Sequence, residues 1–487
     1  MVFTSYCMNK KRILLVNVET SALDHVHSMP VGLLHLASYL SSKIEGSHIQ
    51  ILDQKIDAIS VIDIAQKVKN ENFGILGLSC FSAAADNAVC IARATKGLSP
   101  ETTVVIGGPH SSAFLEDALL PGFDYAVFGE GEPVFAALVS ALISGENPEN
   151  PSGLIYRRGD EIIKGPSASV IENLDSLPLP AWDKIDLRPY WRREGFGPMG
   201  KRPYASIMTS RGCPFCCTYC HKIFGKRYRS FSADYVLEEI RCLSLRYGLR
   251  EFEFLDDAFN LDKNRALDIL NRIQAEFPKV KLLFSNGVCS DALDGEVIEA
   301  MERAGTCYIS FAVESGSPRV QHLIKKNLDL GAVSRNIDTC AKSGKIFLNG
   351  FFMLGFPGET REEMEQTIDF ALNQKLNTVS FFLLMPFKGT EIYESLNEQQ
   401  KTQIKANPDK MYYDSLAFNF SGVSDKELAR IHSMAFRRFY LRFSSIFKTL
   451  KIHPRPMDFI LTCFAELMAK FKPHFRSFFV RLLREPV

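Results

Sequence analysis

Short apolar runs alternate with amphipathic stretches in two long blocks of this chain, and this alternation restricts the fold more than any other feature. The first block contains five predicted strands: Ile13–Val18, Ile49–Asp53, Ile75–Ser79, Val104–Gly107 and Tyr125–Phe128. Five predicted helices separate or follow them: Val31–Ser42, Val61–Asn70, Ala84–Lys96, Ala113–Leu120 and Pro133–Ser144. Regular strand–helix alternation predicts a parallel sheet covered by helices on both faces.

The second block adds six predicted strands: Ala205–Thr209, Glu251–Leu255, Leu282–Ser285, Tyr308–Val313, Leu348–Leu354 and Thr378–Met385. Six such units predict a β/α barrel, closed or partial. The intervening stretch is rich in Pro and Gly, which indicates a linker. We therefore expect an α/β protein with four parts: a flavodoxin-like doubly wound domain over 10–146, a linker over 147–202, a partial (β/α)6 barrel over 203–405 and a helical region over 406–487.

The overall composition excludes several classes of protein. The 487 residues include 57 basic and 56 acidic side chains, and this balance argues against a protein that coats nucleic acid. Hydrophobic residues make up 46% of the chain, so wholesale disorder is excluded. No apolar stretch reaches the roughly 18 residues that a membrane span requires. We expect no transmembrane helix and a cytoplasmic location.

Cysteine usage indicates one metal-binding loop in a reducing compartment. Of the 12 cysteines, Cys213, Cys216, Cys217 and Cys220 crowd together just after the first strand of the second block. A secreted disulfide framework would be short and evenly studded with cysteine. The spacing of Cys213, Cys217 and Cys220 offers three thiolates from one short loop. Three thiolates on a [4Fe–4S] cluster leave one iron open to a small molecule.

Two alternatives stay open at this loop. A structural zinc site needs a fourth ligand, and His221 is available to complete it. In a different register Cys216 replaces Cys217, although Tyr219, directly before Cys220, favours the register with Cys217. The remaining cysteines form no second cluster motif, so we expect a single cluster.

The cysteine loop and the strand ends after it resemble the radical S-adenosylmethionine (SAM) superfamily, whose cluster loop is C-x3-C-x-aromatic-C. The resemblance implies that SAM binds the open iron through its amino and carboxylate groups. It also implies that an electron from the cluster splits SAM and yields a radical that takes a hydrogen atom from substrate. Tyr219 occupies the aromatic position of the loop and joins the SAM site in this resemblance. The fifth barrel strand, with Met353 and Gly355, resembles the adenine-binding strand.

Acidic residues at two further strand ends complete the SAM site that the resemblance implies. Asp256 or Asp257, after the second barrel strand, would supply a carboxylate for the SAM ammonium. The alternative role for either residue is an N-cap for the following helix, where Asp is favoured. Glu314 and Ser315, at the end of the fourth strand, are expected to contact the SAM ribose, with helix capping again as the alternative.

A doubly wound domain ahead of such a barrel resembles the cobalamin-dependent radical SAM subfamily. The type is that of the anaerobic magnesium-protoporphyrin cyclase and of the hopanoid and bacteriochlorophyll methylases. The stretches that support it are Met29–Leu33, Ile106–His110, Phe128–Glu132 and Leu177–Asp183. The resemblance implies that cobalamin contacts lie at the strand ends and turns of this domain: Pro30, Gly32, Ser79, Ser82, Gly107, Gly108, Pro109 and Glu130. Composition alone also fits ordinary strand–helix turns.

The front domain departs from free-standing cobalamin domains in one respect. Such domains often carry Asp-x-His-x-x-Gly, whose histidine becomes the lower cobalt ligand, and no such string occurs here. His35 and His110 are isolated histidines, which are more often structural than metal-ligating. Either cobalamin binds to this domain without a histidine ligand, or the domain has lost the ability to bind cobalamin.

The C-terminal region is basic and amphipathic. Apolar residues recur at steps of three and four along the predicted helix Asp425–Leu450. Residues 421–487 contain 13 Lys or Arg and 5 Asp or Glu. This pattern fits a helical cap packed on the barrel. The alternative is a peripheral contact with the anionic inner face of a membrane.

The resemblance implies a cobalamin-dependent C-methyltransferase that acts on an unactivated carbon. The expected substrate is a large hydrophobic molecule, a tetrapyrrole or an isoprenoid lipid, and the expected electron donor is a flavodoxin or ferredoxin. One alternative keeps all three cofactors, the [4Fe–4S] cluster, SAM and cobalamin, but performs oxidative cyclisation or oxygen insertion on a tetrapyrrole. Another is a non-catalytic iron–sulfur or cobalamin sensor. No residue identifies a catalytic side chain.

Overall fold

The computed structural model describes residues 9–19, 28–146, 148, 151–193, 195, 197, 199–407, 410, 415–442, 449–453, 455–457 and 460. Within these ranges, each of the two predicted blocks folds around a sheet of parallel strands. The α/β fold class expected from the sequence is therefore confirmed.

The first sheet has seven strands in the order β2-β1-β3-β4-β5-β6-β7. Its parallel strands are β1 Arg12–Asn17, β2 His48–Asp53, β3 Ile75–Ser79, β4 Thr103–Gly107 and β5 Tyr125–Val127. The helices that connect them and cover both faces are α1 Val31–Lys43, α2 Val61–Asn70, α3 Ala85–Leu98, α4 Pro109–Phe114 and α5 Gly131–Ser144. The strands read as nearly continuous apolar runs because both faces of the sheet are buried.

Two segments of this half differ from the expectation. The helix predicted at Ala113–Leu120 is instead α4, which begins at Pro109 and is followed by a 3-10 turn at Leu115–Ala118. Proline at the first helical position has its backbone already set for a helix. Leu115, at a φ of 52°, then breaks the helical path. The predicted linker supplies two antiparallel strands, β6 Leu154–Arg158 and β7 Glu161–Lys164, which extend the sheet beyond β5.

The second sheet is an open, fully parallel arc of six strands in the order β8-β11-β12-β13-β14-β15. Its strands are β8 Ala205–Ile207, β11 Glu251–Phe254, β12 Lys281–Val288, β13 Thr306–Glu314, β14 Phe347–Leu354 and β15 Thr378–Leu383. Its helices and adjoining turns are α6 Arg188–Trp191, α7 Ala233–Tyr247, α8 Lys263–Glu276, α9 Gly295–Arg303, α10 Pro318–Leu323, α11 Leu330–Lys342, α12 Arg361–Asn373, α13 Glu391–Glu394 and α14 Glu398–Lys405. Between β8 and β11, β9 Ser210–Arg211 pairs with β10 Arg229–Ser230. This arrangement is the partial barrel that six strand–helix units predicted.

The two halves share one hydrophobic core. The largest buried cluster joins barrel residues to Met29, Val31 and Leu34 of the first half. Trp182, from the segment between the sheets, belongs to the same cluster, and its indole Nε1 donates to Glu239 Oε1 at 3.0 Å. The segment after β7 therefore packs between the halves rather than crossing solvent.

The described part of the C-terminal region includes one long helix, α15 Asp425–Tyr440. Leu428, Ile431, Ala435 and Phe439 are buried, as the apolar stripe predicted, and all belong to the barrel core. The helix predicted over Asp425–Leu450 is too long: it ends at Tyr440, with Leu441 as its C-cap and Arg442 outside the helix. Residues 443–448 of the prediction lie outside the described residues. No described helix combines the length and the hydropathy that a membrane span requires.

Replacing Glu239 with Gln is expected to remove a pH dependence of stability. Burial raises the pKa of Glu239 in the folded protein from 4.5 to about 8. Between these pH values the folded state keeps a proton that the unfolded state releases. The free energy of unfolding therefore falls as pH rises, by up to about 1.4 kcal/mol per pH unit from this group. Urea unfolding across this pH range should show the loss in the wild type and not in Glu239→Gln.

The matched control is Glu238→Gln, which changes the exposed neighbour on the same helix. Its pH profile should follow that of the wild type. A Glu239→Gln profile parallel to the wild type would show that Glu239 is ionised in the folded protein.

Candidate active site

The cysteine loop is tied at its base. Strands β9 and β10 pair antiparallel, with Arg211 opposite Arg229, and so close residues 212–228 into a loop. Gly212 begins this loop at a φ of 82°, and a Cβ there would lie 2.3 Å from the Arg227 carbonyl oxygen. Only glycine fits such a close approach, so this residue sets the path of the chain into Cys213.

The three predicted cluster ligands, Cys213, Cys217 and Cys220, lie in this loop. Cys217 is buried and Cys213 half-buried. Desolvation by the surrounding protein atoms raises the pKa of both thiols, and raises that of Cys220, whose side chain stays exposed on one side, to about 12. Metal binding favours the deprotonated form of each thiol, because the metal binds the thiolate. The Cys216 sulfur contacts the Pro214 carbonyl oxygen of its own loop at 3.8 Å.

The donor set fits a cluster better than a single ion. A zinc site needs its ligands within about 2.3 Å of one atom, whereas the thiolates of an iron–sulfur cluster bind different irons. His221, the fourth ligand of the zinc alternative, instead packs its ring on Phe387, with centroids 5.0 Å apart.

The two aspartates after β11 have different surroundings. Asp256 is buried and accepts hydrogen bonds from the backbone N–H and hydroxyl of Thr209, at 3.1 and 2.8 Å, and from the Ser210 hydroxyl. It thereby fixes the strand end that leads into the cysteine loop. Asp257 is exposed, and its carboxylate acts electrostatically on Cys213 and Cys220. The side chain stays open to solvent on one side, but the surrounding protein atoms desolvate its carboxyl group in part; this desolvation and the neighbouring Asp256 raise the pKa of Asp257 to about 6.

Glu314 occupies a strained position at the end of β13. Its φ is 68°, a left-handed conformation that a residue with a side chain adopts at a cost of about 1–2 kcal/mol. Burial raises the pKa of its carboxyl group, which the Tyr219 hydroxyl and Lys326 contact. The Lys326 Nζ lies 3.7 Å from Glu314 Oε1. This group of three side chains, which borders Cys217 through Tyr219, joins the cysteine loop to the fourth barrel strand.

The sequence did not indicate Lys326. It stands beside Lys325 in a polar stretch, and Lys325 pairs at the surface with Glu391. The side chain of Lys326 is only 17% exposed, and it acts electrostatically on Cys213, Cys217 and Cys220. A buried lysine among thiols and carboxylates is a candidate anion-binding group.

The remaining predicted SAM residues are held by internal contacts. Ser315 is fully buried, with its hydroxyl 3.1 Å from the Thr367 hydroxyl. Met353 is buried in a small cluster against which Tyr219 packs. Gly355 has a φ of 94° and donates its N–H to Glu359 Oε2 at 2.7 Å. Burial raises the pKa of Glu359 to about 8, and its other carboxyl oxygen has no hydrogen-bond partner in the described structure.

Most predicted cobalamin residues gather at the carboxyl ends of the central strands in the first sheet. Ser79 ends β3 and is in register with Gly107, which ends β4. Gly108 follows at a φ of 86°, and a Cβ there would lie 2.8 Å from the Ser79 hydroxyl oxygen. Pro109 opens α4, and Ser82 opens the turn after β3. This edge is where open parallel sheets bind ligands.

Two glycines leave open space at the same edge. A Cβ on Gly32, near the start of α1, or on Gly129, after β5, would meet no heavy atom within 4 Å. Pro30 caps the start of α1. Small residues beside open space at strand ends fit a bulky, flat cofactor such as cobalamin.

Neither isolated histidine has the environment of a free surface ligand. His35 is buried against Phe231, neither of its ring nitrogens has a hydrogen-bond partner in the described part, and burial lowers its pKa. The His110 Nδ1 lies 3.3 Å from the Ser82 hydroxyl. Burial lowers the pKa of His110 to about 4, so both rings are neutral at pH 7.

Glu130 differs from the other predicted cobalamin residues because its side chain already has partners. Arg229 lies 2.7 Å from Glu130 Oε1, and the Ile171 N–H donates to Oε2 at 2.7 Å. Arg211, at the base of the cysteine loop, pairs with Glu132 at 2.6 Å. These buried contacts join the start of α5 to the cysteine loop. Sequence spacing gave no signal for them, since Glu132 and Arg211 are 79 positions apart.

Comparison with known proteins agrees with this arrangement. Residues 207–371 match the Radical SAM superfamily, and residues 16–139 match the B12 binding domain. An uncharacterized methyltransferase of Pyrococcus horikoshii is 34% identical over 80% of this chain and 83% of its own length. The cytidylyl-2-hydroxyethylphosphonate methyltransferase of Streptomyces wedmorensis is 27% identical, over 89% of this chain and 90% of its own.

Two further proteins show the breadth of the group. The anaerobic magnesium-protoporphyrin IX monomethyl ester cyclase of Cereibacter sphaeroides is 25% identical over 72% of this chain and 57% of its own. The radical SAM methyltransferase TsrM of Kitasatospora setae, solved with cobalamin and a [4Fe–4S] cluster, has a TM-score of 0.66 at 19% identity, over 80% of this chain and 75% of its own. The chain therefore belongs to the radical SAM superfamily, as an enzyme of the cobalamin-dependent group that contains methyltransferases, with a [4Fe–4S] cluster, SAM and cobalamin as cofactors.

Proposed function

We propose that this protein is a C-methyltransferase that acts on an unactivated carbon of a large hydrophobic molecule. The observation that carries the proposal is the buried contact between the cysteine loop and the sheet edge of the front domain. The cluster and SAM, when bound, supply the radical that removes a hydrogen atom, and cobalamin supplies the methyl group. The protein sets the distance between these groups and excludes water.

In this proposal the cluster ligands are Cys213, Cys217 and Cys220. The exposed carboxylate of Asp257 holds the SAM ammonium, while Asp256 supports the strand end beneath it. Lys326 supplies a positive charge for the SAM carboxylate, which its burial beside the three thiols supports.

The other half of the SAM molecule would lie along the fourth and fifth barrel strands. Glu314 would bind the ribose, and its left-handed backbone and the contacts of the Tyr219 hydroxyl and Lys326 with its carboxyl group support this role. Ser315 supports this turn, and Met353 and Gly355 would border the adenine. The strain at Glu314 supports a binding role, since strained conformations persist chiefly where function requires them.

Exposed aromatic rings support a hydrophobic substrate. Phe81, in the turn after β3, is 58% exposed, and Phe215, in the cysteine loop, is 46% exposed. Both turns carry residues assigned here to cofactors. A tetrapyrrole or an isoprenoid lipid offers the broad apolar surface that such rings bind. We propose the cytoplasm as the location and a flavodoxin or ferredoxin as the electron donor. Contact of the basic C-terminal region with the inner face of the membrane is the alternative to its role as a cap on the barrel.

Cobalamin retention is the first test of the two-cofactor assignment. The purified chain would be reconstituted anaerobically with iron, sulfide and hydroxocobalamin, then desalted and examined by UV–visible spectroscopy. We expect corrin bands beside the broad iron–sulfur absorbance. Gly32→Leu should lose the corrin bands and keep the cluster, because its side chain fills the open space at the sheet edge.

Gly97→Leu is the matched control. Gly97 is also an exposed helical glycine, and a Cβ there would meet no atom within 4 Å. It lies near the end of α3, away from the carboxyl ends of the strands. It should retain cobalamin as the wild type does. A wild-type chain that holds the cluster and no corrin would remove methylation of an unactivated carbon from consideration.

Single cysteine variants test the register of the cluster. Cys213→Ala, Cys217→Ala and Cys220→Ala should each abolish SAM cleavage, because each removes a thiolate ligand. Cys216→Ala should leave SAM cleavage close to the wild-type rate. The measurement is the 5′-deoxyadenosine formed after reduction with dithionite. Loss of cleavage in Cys216→Ala together with activity in Cys217→Ala would reverse the assignment of these two thiols.

The mass of the product distinguishes methyl transfer from the alternative reaction, oxidative cyclisation or oxygen insertion. The similarity to the magnesium-protoporphyrin cyclase supports testing this alternative. Hydrophobic candidates would be incubated with the reconstituted enzyme, SAM and reductant. Methyl transfer adds one CH₂ unit to the substrate mass, and SAM labelled with deuterium in its methyl group should transfer the label. A product with no added CH₂ unit and no label would favour cyclisation or oxygen insertion.

A further inference from the structure

The base of the cysteine loop carries two buried positive charges that face each other. Arg211 and Arg229 are direct partners across the antiparallel pair β9 and β10. Their side chains are 2% and 3% exposed. Like charges directly opposite one another on paired strands destabilise the pairing. The closure of the loop therefore depends on the groups that neutralise these two guanidiniums.

Both neutralising groups come from the front domain. Glu132 lies 2.6 Å from Arg211, and Glu130 lies 2.7 Å from Arg229 and 3.7 Å from Arg211. In the described part of the chain, no other carboxylate forms an ion pair with either arginine. We name this group of two arginines and two glutamates the interdomain clamp.

The clamp lies between the two sites of the proposed function. Glu130 and Glu132 flank the first residue of α5, directly after Gly129 at the sheet edge assigned to cobalamin. Arg211 precedes Gly212 and the first cluster ligand, and Arg229 closes the other end of the same loop. Movement of either loop alone would leave a buried charge without its partner, which is costly.

We infer that the interdomain clamp is a positioning device that couples the docking of the front domain to the geometry of the cysteine loop. The inference rests on the proposed function for the identity of the cofactors at each end. Its four residues act through the loops that they hold. Glu130, which the sequence predicted to contact cobalamin, is a positioning residue in this inference because its carboxyl group is bound to Arg229 and to the Ile171 N–H.

Glu132→Gln in the full-length chain tests the coupling. Hydrogen–deuterium exchange, measured by mass spectrometry on the reconstituted protein, should accelerate about tenfold or more over residues 212–228, because Arg211 loses its partner. Exchange in β1 and β3 should stay at the wild-type rate. The electron paramagnetic resonance spectrum of the reduced cluster with SAM should also change, which a mere loss of global stability would not produce.

Arg227→Gln is the matched control. Arg227 lies in the same loop and pairs with Glu172 at 2.6 Å, but both side chains are more than half exposed. Exposed pairs contribute little. Exchange over 212–228 and the cluster spectrum should therefore match the wild type.

The double variant Arg211→Gln/Glu132→Gln separates coupling from simple damage. It restores the charge balance, so exchange over 212–228 should be slower than in Glu132→Gln alone.

If Glu132→Gln does not fold, folding of the double variant supports the clamp, and failure of both variants to fold overturns it. Wild-type exchange in Glu132→Gln, or purely additive effects in the double variant, would also overturn it. Repeating the exchange measurement on the protein before reconstitution, when no cofactor is bound, makes this result independent of whether cobalamin is retained.

Discussion

Buried charge pairing at the meeting point of the two halves is the constraint on which this structure depends. The hydrophobic core joins the halves, but apolar contact is non-directional and tolerates rotation. The contacts of Arg211 and Arg229 with Glu130 and Glu132 have fixed geometry, and an error in docking leaves a charge unpaired. A chain that must hold two reactive centres at a set separation gains more from such directional contacts than from additional apolar area.

Much of the fold followed from local sequence patterns. Each predicted strand of the first sheet agrees with the structure to within one residue at either end, since a strand buried on both faces produces an unmistakable apolar run. The cysteine loop was equally visible, because its four cysteines lie in one short segment. The strand ends that carry Asp256, Asp257 and Glu314 were found through the same alternation.

What the sequence could not show depends on long-range contact or on backbone conformation. Lys326 becomes notable only when the fold places it beside the thiols, and the pairing of Glu132 with Arg211 spans 79 positions. The distinction between Asp256 and Asp257 rests on hydrogen bonds to Thr209 and Ser210, which adjacent letters cannot reveal. The left-handed backbone of Glu314 has no sequence signature, since glycine is the residue expected there.

The hairpin β6–β7 changes what a free-standing front domain would require. It makes β5 an internal strand of the sheet, and the Ile171 N–H beyond it holds Glu130. A fragment cut at residue 146 would expose the backbone of β5 as an open edge, which recruits other strands and promotes aggregation. A fragment extended through residue 171 keeps that edge covered and makes β7 the outermost strand of the sheet, where Glu161 and Lys164 place charges along the rim. The minimal autonomous cobalamin module thus includes a part of the chain that composition alone would discard.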